Sequence, residues 1–139
     1  MSGAPPVPVA ALLTTNASFE LDPAWLSGDP CYLDALENDP LAFVDADTAQ
    51  LTRELDRAWD CFGAELPKLT VPTLAVHGED DPIADVGAVR AYAEQIEALQ
   101  CREYDGARHD ILNDSVHREV AAAIVDFIGE QTQNRTPAA

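Results

Sequence analysis

Basic residues are scarce in this chain: 8 Lys and Arg stand against 25 Asp and Glu, for a net charge of −17. None precedes Arg53, although eight acidic side chains do. A surface this acidic repels phosphate backbones and anionic headgroups, which argues against nucleic acid as a partner and against an anionic membrane surface. It reads as a solubilising shell. Cysteine is sparse as well. Cys31, Cys61 and Cys101 share no C-x-x-C spacing, so neither a zinc site nor a disulfide framework is expected. They read as reduced, buried thiols, which fits a cytoplasmic location. Long apolar runs are lacking too. Residues 7–13 are apolar but few, are broken by Pro8 and follow no basic residue, unlike a signal peptide. No transmembrane segment is expected, because no stretch is long enough to span a bilayer. The carboxylates Glu79, Asp80, Asp81 and Asp85 lack the spacing of a calcium loop, so neither metal nor cofactor is expected.

What remains suits a folded domain. The chain has 139 residues, 47% of them apolar, enough for one domain with a core. Residues 1–21 are Pro-rich and read as an irregular lead-in. Short helical pieces follow between Asp22 and Glu37, punctuated by Pro23 and Pro30. Asp47 and Gln50 resemble a capping box ahead of a stripe of Leu51, Leu55, Ala58, Trp59 and Phe62, with Gly63 and Pro67 as stops. TLAVHG, residues 73–78, is short and nearly all apolar, as in a strand buried on both faces of a parallel sheet. Asp85 caps a helix whose face carries Val86, Val89, Tyr92, Ala93 and Ile96. Residues 101–104 form a second strand. Asp114 or Ser115 caps a last helix with Val116, Val120, Ile124, Phe127 and Ile128 on its apolar face, and residues 131–139 form a disordered polar tail. From Lys68 onward the order is strand, helix, strand, helix, which implies a parallel α/β sheet.

Open α/β sheets place their sites just beyond the carboxyl ends of strands. Asp81 follows the first strand and His109 the second, with one helix and one strand between them, so both loops emerge on one edge. A carboxylate beside an imidazole there holds the ring in one tautomer and stabilises its cation. Two plainer readings stand beside this one. Asp80-Asp81-Pro82 is also turn chemistry, and a lone loop histidine is commonly structural or simply exposed. His77, at the end of the first strand, reads as a packing residue and His117 as a solvated one. Trp25 and Trp59 read as core residues, with an acyl-pocket lining as the alternative.

VPTLAVHGEDDPIADV followed by EYDGARHDILND resembles the C-terminal region of α/β-hydrolase fold serine hydrolases. The likeness is to the monoacylglycerol lipase and lysophospholipase group, the serine aminopeptidase S33-like proteins. In that family a strand ends in G-x-x-D, whose Asp is the triad acid, and the histidine sits in G-A-x-H. The resemblance assigns the acid to Asp81, in Gly78-Glu79-Asp80-Asp81, and the general base to His109, in Gly106-Ala107-Arg108-His109. LSGDP, starting at Leu26, and NDPL, starting at Asn38, are similar to the end of the family's lid. The resemblance covers residues 22–130 and implies a lid-like helical region over 22–66 and a C-terminal hydrolase core segment of two parallel strands with flanking helices over 67–130.

The family's nucleophile stands in G-x-S-x-G on a strained strand-to-helix turn. No serine here has that setting: Ser2, Ser18, Ser27 and Ser115 lack both flanking glycines. Cys61 has Gly63 after it but Trp59 where the first Gly belongs. The family's oxyanion-hole segment has no counterpart either. The expectation is therefore a truncated, acidic chain carrying a triad Asp and His but no nucleophile. One function that follows is the C-terminal part of a serine ester hydrolase acting on a lipid or small ester when a partner chain supplies the other half. The alternative is a non-catalytic remnant or interaction protein of the same fold, and the expected partner is either a chain carrying the missing half or a second copy through self-association.

Overall fold

A computed structural model describes residues 22–41 and 48–134. Its elements follow from local chemistry. Asp22 accepts the Ala24 N–H at 2.9 Å and opens a 3-10 turn, Pro23–Trp25. Asp29 accepts the Cys31 N–H at 2.8 Å and starts helix α1, Pro30–Glu37, with proline at the first helical position, where its lack of an N–H costs nothing. Helix α2, Thr48–Glu65, leads through a second 3-10 turn, Leu66–Lys68, to strand β1, Thr73–Gly78. Asp85 caps helix α3, Val86–Ala93, through the Gly87 N–H at 2.9 Å. Strand β2, Leu99–Tyr104, the 3-10 turn Ile111–Asn113 and helix α4, His117–Asn134, complete the order.

β1 and β2 pair in parallel, from Thr73 opposite Leu99 to Gly78 opposite Tyr104. Pairing continues past the strands, with Glu79 N–H donating to Tyr104 O at 3.0 Å and Asp80 N–H to Ala107 O at 3.0 Å. The two loops that leave the carboxyl edge are thereby laced together. Ala107, Ile111 and Val120 form a buried cluster, with Val76, Tyr104, Val116 and Ile124 packed on it. Two members of that cluster belong to the loop after β2, so the core itself anchors the loop.

Several expectations change. TLAVHG is only half-buried except at Gly78, because β2 is its one sheet neighbour among the described residues. β2 begins two residues earlier than expected, at Leu99. α2 runs past Gly63 to Glu65: one glycine weakens a helix without ending it, and the following Pro67 forces the stop. Asp47 lies outside the described residues, as do the side chains of Leu51, Leu55 and Trp59, while Phe62 is exposed. α4 extends beyond Gln131 to Asn134. Its buried stripe is Val120, Ala123 and Phe127, and Ile128 faces outward. Cys31 and Cys61 are exposed and Cys101 half-buried, all as free thiols, since α1 buries no side chain and the described side chains around Cys61 on α2 are exposed. Trp25 is 39% exposed on its surface turn and is not a core residue. No helix among the described residues is long and apolar enough to cross a membrane.

Candidate active site

Asp81 sits directly after the β1 turn with its side chain only 4% exposed. Burial of a carboxylate requires partners, and Asp81 has them. Its Oδ1 accepts the Ile83 N–H at 2.8 Å and the Ala84 N–H at 3.0 Å. Its Oδ2 lies 3.0 Å from His109 Nδ1. A carboxylate only accepts, so Nδ1 carries the proton and Nε2 points its lone pair elsewhere. The imidazole is 41% exposed, open to a reacting group. Asp80, by contrast, is exposed and contributes its backbone N–H to the lacing of the two loops. The structure thus brings together the two residues singled out from sequence.

Two glycines shape this edge. Gly78 ends β1 where the loop after β2 crosses it. A Cβ there would lie within 3.0 Å of the Ala107 and Arg108 carbonyl oxygens, so only glycine lets the loops approach. Gly106 has φ of 71°, the left-handed conformation that turns the chain after β2.

His77 is more than a packing residue. Its Nδ1 lies 2.9 Å from Gly78 O, and its Nε2 faces Asp81 Oδ2 at 3.8 Å, so the Asp81 carboxylate is flanked by two imidazoles. His117, exposed at the start of α4, bonds the Asp114 carbonyl through Nδ1 at 2.8 Å.

Sequence reasoning missed the support behind His109. Segment 22–32 grips the histidine loop: His109 N–H donates to Trp25 O at 3.3 Å and Asp110 N–H to Leu26 O at 2.7 Å. Arg108 Nη1 donates to Ala24 O at 2.5 Å and Ser27 O at 3.1 Å. Ser27, fully buried, donates through Oγ to Asn113 O at 3.0 Å. Tyr32 Oη donates to Asp110 Oδ2, and that bond, with burial and the adjacent negative charge, pushes the phenol up to about 12. Asp114 is fully buried and does not cap α4. It accepts from Gly28 N–H at 2.9 Å, Arg108 N–H at 2.8 Å and Ser115 N–H at 2.7 Å. Burial alone would raise its pKa, but the backbone donors of Arg108, Ser115 and Gly28 hold it below the ordinary aspartate value. Nothing local marked this role, since Asp114 stands between Asn113 and Ser115 in a polar turn and one of its partners lies 86 residues away.

A two-stranded parallel unit with an acid and a histidine at its carboxyl edge defines an α/β-hydrolase-like fold. The family model for serine aminopeptidase, S33, matches residues 6–116, and the chain belongs to that family. The match starts upstream of Asp22, where the resemblance read from sequence began. Among solved structures, a monoacylglycerol lipase from Paleococcus ferrophilus matches at 24% identity with a TM-score of 0.70, over 86% of this chain and 49% of that one. A soluble variant of monoglyceride lipase from Saccharomyces cerevisiae, in complex with a substrate analog, matches at 22% identity with a TM-score of 0.66, over 88% of this chain and 47% of that one. This chain therefore spans about half the length of the solved structures it matches.

Proposed function

We propose that this chain supplies the acid and base of a serine ester hydrolase whose nucleophile and oxyanion hole come from outside this sequence. The 3.0 Å contact of His109 Nδ1 with the buried Asp81 carboxylate carries the reading. In it, Asp81 fixes the tautomer that leaves His109 Nε2 free to take the proton of an attacking serine. His109 then returns that proton to the leaving alcohol, while Asp81 stabilises the intervening imidazolium. The solved neighbours are lipases of glycerol monoesters, which supports a lipid or small ester as substrate. The absence of G-x-S-x-G from the sequence favours the second reading, a non-catalytic protein of the same fold.

Complementation decides between them. The chain is co-expressed with a hydrolase half carrying G-x-S-x-G. The catalytic reading expects monoester hydrolysis and fluorophosphonate labelling of the partner's serine. His109→Ala should nearly abolish turnover, and Asp81→Asn should lower it by about ten-thousand-fold, through the wrong tautomer. Asp80→Asn should change little. Activity that survives His109→Ala sinks the catalytic reading, and an essential Asp80 sinks the assignment of the acid. A stable complex without activity establishes the non-catalytic one.

A further inference from the structure

The histidine loop is held on two sides. Its inner side is apolar: Ala107 and Ile111 pack on Val120 of α4. Its outer side is polar and is held by segment 22–32, more than 80 residues away in sequence at Ala24 and Ser27. That grip reaches the His109 backbone itself, through Trp25 O, and both neighbours of His109 in the chain. On one side Asp114 binds Gly28 and Arg108 with separate carboxylate oxygens, joining the two segments through one buried residue. On the other, Tyr32 of α1 engages Asp110 Oδ2, while Asn113 Nδ2 holds Oδ1 at 3.0 Å. Each oxygen of the Asp110 carboxylate, adjacent in sequence to His109, thus accepts a hydrogen bond.

The tolerance of the His109–Asp81 bond is small. It is 3.0 Å long, and a hydrogen bond is lost a few tenths of an ångström beyond about 3.2 Å. A backbone shift of about 1 Å at His109 is enough to break it, and misplacement on that scale is costly in catalysis. The His109 ring is 41% exposed, so packing covers it only in part and the backbone shares in the restraint.

We propose that Tyr32 and Asp114 are positioning residues that, through segment 22–32, hold the His109 imidazole on Asp81. This rests on the reading of His109 as the base, and it makes the lid-like segment part of the catalytic geometry as well as a cover. A displacement of α1 then reaches His109 through Tyr32 and Asp110.

The test uses the chain alone and needs no substrate. Nitrogen-15 NMR of its 3 histidines, assigned by substitution, reads the tautomer and the exchange rate of the His109 Nδ1 proton. In the unmodified chain that proton should be present and protected. Tyr32→Phe, which keeps the ring, and Asp114→Asn should each speed its exchange on the order of tenfold, the ratio expected for one hydrogen bond. They should also shift the ring toward the Nε2–H tautomer. Ile96→Val, at a buried position of the core, should lower Tm and leave the Nδ1 proton unchanged. If Tyr32→Phe and Asp114→Asn behave like Ile96→Val, the grip is structural support only and the proposal is overturned. Should Asp114→Asn fail to fold, Tyr32→Phe decides. An unmodified chain with no protected Nδ1 proton overturns the Asp81–His109 pair itself. A responsive proton in a chain that never complements leaves the positioning role standing and removes the catalytic one.

Discussion

Asp114 shows how one buried carboxylate sets a pH limit. Its folded pKa is depressed below the ordinary 3.8. A group depressed in this way contributes stability that is fully present above the unfolded value and is lost as pH falls through the folded one. Asp114→Asn replaces one acceptor oxygen with a donor that cannot take an N–H, which costs about 1–3 kcal/mol at neutral pH. The amide does not titrate, so the gap in Tm between the two proteins should narrow as the pH is lowered below 3.8. Thermal unfolding followed at a series of pH values checks this. A gap that widens in acid would mean the backbone donors do not favour the ionised form.

At the scale of elements, the decisive feature is how closely the β1 turn approaches the loop after β2. Parallel register brings Gly78 opposite Tyr104, and the lacing through Glu79 and Asp80 continues from there. Gly78→Ala would drive a Cβ into two backbone carbonyls, and backbone cannot step aside as a flexible side chain does. The loops should separate, at a cost of about 1–3 kcal/mol or more, as in other overpacked sites. Tm should fall and the His109 Nδ1 proton should lose its protection together. Full retention of both would show that the loops have slack. The same approach could not be read from the motif, where Gly78 is only a letter in G-x-x-D. Asp85 and Asp29, by contrast, were or could have been read as caps, because a cap and its target amide lie within three residues.

At the scale of the whole molecule, β1 has one strand neighbour among the described residues and is half-buried along most of its length. A strand with an unpaired edge is a template for another strand. With no G-x-S-x-G in the sequence, the chain alone should show no hydrolysis of short acyl esters above background. Loss of a triad serine costs about a million-fold in a worked serine protease, and loss of the oxyanion hole removes a further contribution. A rate assay on the purified chain tests this, and turnover that His109→Ala abolishes would reveal an unrecognised nucleophile.

The sequence by itself determined the fold class, the alternation of strand and helix from Lys68 onward, and the two loops at the carboxyl edge. These follow from short-range patterns: apolar runs, caps and glycines act over a few residues, so they survive as text. Burial did not. Trp25 turned outward, TLAVHG stayed half-covered and Ile128 faced away from the core, because burial depends on which surfaces meet, and one helical period fits several faces. Only the tertiary structure decided the 3.0 Å approach of His109 to Asp81, the second imidazole of His77 behind it and the grip of segment 22–32. Those contacts join parts of the chain up to 86 residues apart, and no local pattern encodes a hydrogen bond whose partner is chosen by packing.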